Sequence, residues 1–306
     1  MNDSNEQPVI KQSIWYKKIP TLLTICNSLC GLTAILWCLQ AYERAFIKNG
    51  LVTQNPSESF LPLLPTIFAS CAWLVIAAMV FDALDGWTAR KLKATSLHGI
   101  QMDSLADMVT FGVTPAVIVA VSTHIHALFG EGNYIAGEFL RYDRLVWAAC
   151  GIYLACAACR LALYNIHAVE EKKDDNFMGI PSPGAAAAVC SIIIMNNSNL
   201  DMPEWVATIF LPIYAAVLGI LMVSSIPYPH MAKWLISPVK RSRKILIIIA
   251  IIALCIFERI KLGEGPKITA AFLISLYVLS GPIKFFSHKF IGYCISDEDE
   301  HLDSAP

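Results

Sequence analysis

Charge is what this chain has least of. Of its 306 residues, 15% are Asp, Glu, Lys or Arg, against 56% hydrophobic and a mean hydropathy of +0.55. Soluble domains carry about 25% charged residues, so the shortage excludes an ordinary soluble fold and predicts an integral, multi-pass membrane protein. The formal net charge is −1 and the basic residues are scattered over loops. No basic face is available for a phosphate backbone, and no nucleic-acid partner is expected. A secretory leader is also lacking. The first twenty residues are polar and contain Lys11, Lys17 and Lys18, and the apolar segment behind them is too long for a leader core and has no small-residue cleavage site. No internal repeat is evident. Zinc spacing is missing too: most of the ten cysteines lie within apolar segments, and the seven histidines do not cluster with them. Cys156-Ala157-Ala158-Cys159 has redox spacing but reads as helix packing, because free Cys behaves as a small hydrophobe. His124 and His126, two apart, point to different sides of a helix.

Long apolar runs are what the chain does have. Segments near spanning length fall at roughly 21–40, 61–82, 102–129, 145–167, 181–199, 205–227, 243–260 and 267–286. The seventh has only a short apolar heart, Ile245 to Phe257. The expected fold is an all-α polytopic transmembrane helix bundle. It divides into an N-terminal arm (1–19), a core (20–235), a C-terminal pair of spans (236–290) and an acidic, disordered tail (291–306). With eight spans and the N-terminus inside, the inner loops and tail hold fifteen Lys and Arg and the outer loops seven. That excess puts both termini in the cytoplasm. Trp15, Trp87, Trp205 and Trp234 fall near segment ends, as interfacial aromatics do. Residues 88–98 form a short link rich in Lys and Thr, suited to a helix lying on the membrane surface.

Against this apolar background, two stretches stand out: Asp82-Ala83-Leu84-Asp85-Gly86-Trp87-Thr88-Ala89-Arg90 and Gly99-Ile100-Gln101-Met102-Asp103-Ser104-Leu105-Ala106-Asp107. A carboxylate near the centre of a span costs roughly 2.5–3.5 kcal/mol on insertion scales, so four together call for a compensating cation. At 100° per residue, Asp85, Gly86 and Ala89 lie at about −60°, +40° and −20° from Asp82, and Asp103 and Asp107 at about 40° and 80° from Gly99. Each stretch thus has one acidic face, and two helices meeting there bring four carboxylates together. Gly86, Ala89 and Gly99 leave room for a helix backbone or a substrate, and Arg90, one step off the face, reaches a phosphate bidentately. All-oxygen ligation suits Mg²⁺ or Mn²⁺, and four acids suffice for two ions flanking an in-line displacement at phosphorus. A blander alternative pairs the acids with Arg90, Lys91 and Lys93 as a solvated loop.

The run Asp82-x2-Asp85-Gly86-x2-Ala89-Arg90-x8-Gly99-x3-Asp103-x3-Asp107 resembles, without a gap, the signature of the CDP-alcohol phosphotransferases. Further stretches resemble one branch of that family, the integral-membrane phosphatidylserine synthases: Ser104 to Ala116, Cys159-Arg160-Leu161-Ala162-Leu163-Tyr164-Asn165, Phe177-Met178-Gly179-Ile180-Pro181-Ser182-Pro183 and Leu221 to Tyr228. Leu163 stands where that branch has a second Arg. Near the start, where families of this type often have Pro-Asn before a Thr, the run is Pro20-Thr21-Leu22-Leu23-Thr24, followed by Asn27 and Gly31, and Asn27 receives no role. The resemblance implies a six-helix catalytic core, extended here by about two C-terminal spans, and a homodimer. It implies transfer of the phosphatidyl group of CDP-diacylglycerol to the hydroxyl of L-serine, giving phosphatidylserine and CMP. It further implies Asp82, Asp85, Asp103 and Asp107 as metal ligands, with Asp107 also the base. Gly86, Ala89, Arg90 and Gly99 would bind substrate, and two divalent cations, Mg²⁺ or Mn²⁺, would be the cofactors.

Arg160, between apolar runs and on the acids' side of the membrane, is a candidate contact to the serine carboxylate or the diphosphate. Ser182 is a candidate for the acceptor pocket. Glycerol 3-phosphate, inositol or another alcohol remain open as acceptors. A cation transporter is the reading from another class, and acids confined to one interface speak against it.

Overall fold

The computed structural model describes residues 19–50, 64–92, 96–129, 136–169, 179–196, 203–226, 228, 252–260 and 267–302. The described chain is helical: α1 (Ile19–Gly50), α2 (Leu64–Lys91), α3 (Leu97–Asp107), α4 (Thr114–Phe129), α5 (Ala136–Val169), α6 (Ser182–Asn196), α7 (Leu211–Val223), α8 (252–260) and α9 (Lys267–Leu302). Six helical stretches are long and apolar enough to cross a membrane: Ile19–Ala45, Thr66–Lys91, Leu97–Ala127, Tyr142–Ile166, Val206–Val223 and Lys267–Phe285. The chain is an integral membrane protein.

Two of the expected spans differ. The segment at 181–199 becomes α6, fifteen residues, about 22 Å at 1.5 Å per residue and short of the roughly 30 Å hydrocarbon core. It needs no more length, because it is enclosed by protein: ten of its residues, from Ser182 to Ile194, are buried, and α2, α7 and α9 pack around it. Of the segment at 243–260, only 252–260 lies within the described residues. Glu258, the one acid in that stretch, is buried. It accepts the backbone N–H groups of Ile268 (2.8 Å) and Thr269 (2.9 Å) and so caps the start of α9. The link at 88–98 is not a surface helix. α2 runs on to Lys91, and Ser96 already caps α3, its Oγ accepting the Gly99 N–H at 3.0 Å. α9 continues through 291–302, where the sequence predicts disorder; propagation from a fixed span costs little once the nucleus exists.

Prolines shape the spans in a consistent way. Pro115, Pro212 and Pro282 each remove an N–H from a helix, which frees the carbonyl four residues back. Those carbonyls belong to Phe111, Thr208 and Val278. Each receives a tyrosine hydroxyl: Tyr153 donates to Phe111 at 2.8 Å, Tyr142 to Thr208, and Tyr228 to Val278 at 3.0 Å. Just ahead of the first two prolines, π-helical stretches at Met108–Val113 and Val206–Phe210 widen the turn. With no water in the hydrocarbon to take up a freed carbonyl, an interhelical donor is the way to satisfy it. These three bonds fasten α5 to the α3–α4 span, α5 to α7, and the segment after α7 to α9.

α1 threads against the first π stretch. A Cβ on Gly31 would lie 2.9 Å from Thr110 Oγ1 and 3.1 Å from its Cα, so only glycine permits this approach. Thr110 and Thr114 donate to the carbonyls of Asn27 and Gly31, both at 3.2 Å. At the other end of the bundle, His124 Nδ1 pairs with Asp143 at 3.0 Å and its Nε2 approaches the Tyr42 hydroxyl at 3.4 Å, joining α4, α5 and α1.

Candidate active site

The two acidic stretches are both helical, and their faces meet. Asp82 and Asp85 project from the last turns of α2, Asp103 and Asp107 from α3. Carboxylate oxygens of Asp82, Asp85 and Asp103 lie within 4.8 Å of one another. Asp107 is one turn beyond Asp103 and faces all three electrostatically. Asp85 is 3% exposed and Asp107 9%. At about 4 Å, two like charges repel by roughly 4 kcal/mol even at an effective dielectric constant of 20, so the group demands positive charge.

Among the described residues, the protein's own cations do not pair with it: neither Arg90 nor Lys91 forms an ion pair with these acids. Lys91 lies over the Trp87 ring at 4.5 Å, and Lys93 lies outside the described residues. The solvated-loop alternative therefore lacks two of its three partners, Arg90 and Lys91. The donor set, on the other hand, fits a hard divalent ion. All ligand atoms are carboxylate oxygens, and Asp103 Oδ1 and Asn27 Oδ1 are buried with no hydrogen-bond partner among the described residues.

A third helix completes the site. From α1, Thr24 donates to Asp85 Oδ2 at 3.0 Å, and Asn27, fully buried, donates through Nδ2 to Asp107 Oδ1 at 3.0 Å. The sequence reading gave neither residue a role. The signal was present: Thr24, Asn27 and Gly31 recur at three- and four-residue spacing within an apolar run and so share one helix face.

The small residues of the motif face open space. A Cβ on Gly86 would meet only the Arg90 guanidinium, 3.5 Å away, and one on Gly99 only its own capping Ser96 Oγ, at 3.2 Å. Among the described residues, no helix packs closely against Gly86 or Gly99. Arg90, exposed, folds back over Gly86, and Ala89 is half-buried beside it.

Of the remaining candidates, Arg160 lies on α5 and Ser182 at the start of α6. Ser182 opens α6 and is buried. The loop before it is fixed to the end of α7: Gly179 N–H bonds Ile226 O (2.9 Å) and Ile180 N–H bonds Leu221 O (3.1 Å). Gly179 has φ +79°, a conformation that disfavours a side chain, and a Cβ there would sit 2.3 Å from Met222 O. Half-buried Arg160 has Tyr277 of α9 and Tyr164 as electrostatic neighbours. α5 also touches the acid helices directly, Ser104 Oγ donating to Asn165 Oδ1 at 2.8 Å.

Comparison with known proteins agrees with this geometry. Residues 17–227 match the family described as CDP-alcohol phosphatidyltransferase. A CDP-diacylglycerol–serine O-phosphatidyltransferase of Helicobacter pylori is 31% identical over 235 residues, covering 75% of this chain and 87% of that protein. One from Bacillus subtilis is 32% identical over 215 residues, covering 70% and 92%. An archaetidylserine synthase of Methanothermobacter thermautotrophicus is 29% identical over 181 residues, covering 58% and 66%.

Proposed function

Because the chain belongs to the CDP-alcohol phosphatidyltransferase family, we propose that it transfers the phosphatidyl group of CDP-diacylglycerol to the hydroxyl of L-serine, with release of CMP. The observation that carries the reading is the convergence of Asp82, Asp85 and Asp103, with Asp107 held beside them by Asn27. The names of relatives that cover most of this chain support serine as the acceptor.

Asp82, Asp85, Asp103 and Asp107 are the residues to hold divalent cations, Mg²⁺ or Mn²⁺. Such ions, when bound, neutralise charge on phosphate oxygens and favour a displacement at phosphorus. The chain's own residues do the rest. Arg90, poised over the open surface of Gly86, contacts the diphosphate, and the bare faces of Gly86 and Gly99 admit the nucleotide. Asp107, oriented by Asn27, accepts the proton of the serine hydroxyl as its oxygen bonds to the lipid-side phosphorus. The bond from that phosphorus to the CMP oxygen breaks, and CMP leaves with the electron pair. Arg160 takes the serine carboxylate, and Ser182 lines the acceptor side. The site opens to the cytoplasmic leaflet of the inner membrane, and the protein works as a homodimer.

The test is CMP release from CDP-diacylglycerol and serine in membranes containing the full chain. Asp85→Ala and Asp107→Ala should each abolish it while the protein stays inserted. Full turnover by both variants refutes the assignment. Labelled glycerol 3-phosphate and inositol, offered in place of serine, should give no product.

A further inference from the structure

α1 and α2 run antiparallel, and one bond fixes their common level: Thr24 of α1 donates to Asp85 of α2. At 1.5 Å per residue, Cys38 and Cys71 each stand about 21 Å from that level. Their Sγ atoms do meet, 3.6 Å apart. The same count puts Gln40 and Ser70 about 23 Å away, and Arg44 and Thr66 about 29 Å away. The hydrocarbon core is about 30 Å thick. These four residues therefore lie toward the membrane boundary opposite the acids.

They line one groove between the two helices. Trp37, Gln40, Ala41 and Arg44 recur at three- and four-residue spacing and share a face of α1, with Thr66 and Ser70 of α2 across from them. The groove has a volume of about 260 Å³, close to the lower end of small-ligand sites, about 300–1,000 Å³. Its lining holds one cation and no acid. Arg44 is exposed, and among the described residues it forms no ion pair. A cation on a span without a partner is costly. Ser70 Oγ donates to Thr66 O at 2.8 Å within α2, so the groove's donors are the Arg44 guanidinium, the Gln40 amide and the Thr66 hydroxyl. Trp37, exposed, stands about 10 Å nearer the middle of the bilayer than Arg44.

We propose that this groove binds the phosphodiester of an anionic phospholipid from the leaflet opposite the acids. The planar fork of Arg44 takes two phosphate oxygens, Gln40 and Thr66 add donors, and the Trp37 ring lies along the upper part of the chains. One positive charge and no acid balance a lipid of charge −1. A zwitterionic lipid brings an ammonium that finds no acidic partner in the lining, so it binds less well. The bound lipid covers the seam between α1 and α2, the two helices that carry Thr24, Asn27, Asp82 and Asp85. The site is separate from the acids, and its assignment does not depend on the reaction proposed for them.

The experiment places the full chain in phosphatidylcholine vesicles that contain a minor share of phosphatidylglycerol with a photoreactive diazirine high on one acyl chain. After illumination, the labelled peptides are mapped by mass spectrometry. Label should fall on α1 between Trp37 and Arg44 or on α2 between Thr66 and Ser70. A phosphatidylcholine probe of the same design should label these residues about fivefold less, the margin expected for one basic residue at an anionic membrane surface. Arg44→Gln should cut the phosphatidylglycerol label there by about the same factor and leave folding intact, because Arg44 is exposed. Asp85→Ala, which disarms the acid cluster, should leave the label unchanged. Four results overturn the proposal: no label at these residues, equal label from both lipids, label indifferent to Arg44→Gln, or label lost in Asp85→Ala. Loss of the label in the presence of inorganic phosphate makes this a free-anion site and overturns the lipid. Cross-links between two copies of the chain through these residues, in place of lipid, overturn it as well.

Discussion

Replacing Tyr153 by Phe removes one oxygen from the middle of the bundle and should loosen it measurably. That hydroxyl is completely buried and donates to Phe111 O at 2.8 Å. Pro115 offers that carbonyl no N–H from its own helix, and hydrocarbon offers no water. Interhelical hydrogen bonds in membranes average only about 0.6 kcal/mol, with a maximum near 1.7, because the unmade state finds other partners. Here the local partner is missing, so the loss should approach the cost of an orphaned buried acceptor, about 1–3 kcal/mol. The assay is equilibrium or thermal unfolding of the full chain in detergent, with Pro115→Ala and the double variant alongside. Alanine at 115 restores an N–H four residues after Phe111, so the double variant should recover about 1 kcal/mol or more of coupling. Two results refute the reasoning: a Tyr153→Phe protein as stable as the parent, or a cycle in which the two changes simply add.

Two further perturbations address the site. Asn27→Leu keeps the branched skeleton but removes the donor to Asp107. A hydrogen bond to a charged group contributes about 1.5–3 kcal/mol, so kcat for CMP release should fall roughly 10- to 100-fold with the protein still inserted, and a parental rate would deny Asn27 its orienting role. Gly86→Phe should leave stability intact, because only the movable Arg90 side chain adjoins that position. It should raise the KM for CDP-diacylglycerol at least about tenfold by filling a free ligand surface; a loss of folding instead would mean the glycine serves packing.

How far the sequence could be read depended on how far apart the interacting residues lie. The four acids were legible because each pair sits within one or two helical turns, where 100° per residue fixes the shared face. Thr24 and Asn27 were harder: their partners are 61 and 80 residues away, and a lone Thr or Asn in an apolar run carries no direction. The same holds for the proline carbonyls and their tyrosines, separated by 42, 66 and 50 residues. The π stretch at Met108–Val113 hid more, since an extra residue in the turn puts α4 out of phase with α3 and blurs any single helical period across 97–129. Hydropathy found α6 as an apolar segment but not its enclosure, which depends on neighbours on every side. Arg160 was visible as a cation in a span.

The seat of α9 bears on how the molecule is made. Of the described helices, α1, α2 and α3 leave the ribosome first, so the acid cluster and its Thr24 and Asn27 clasps can assemble before α4 to α9 are made. The Tyr228 hydroxyl must wait for its partner, the Val278 carbonyl of α9, which is made 50 residues later. Nascent molecules would thus gather the four carboxylates early and lock α9 in place only after every other described helix has been made.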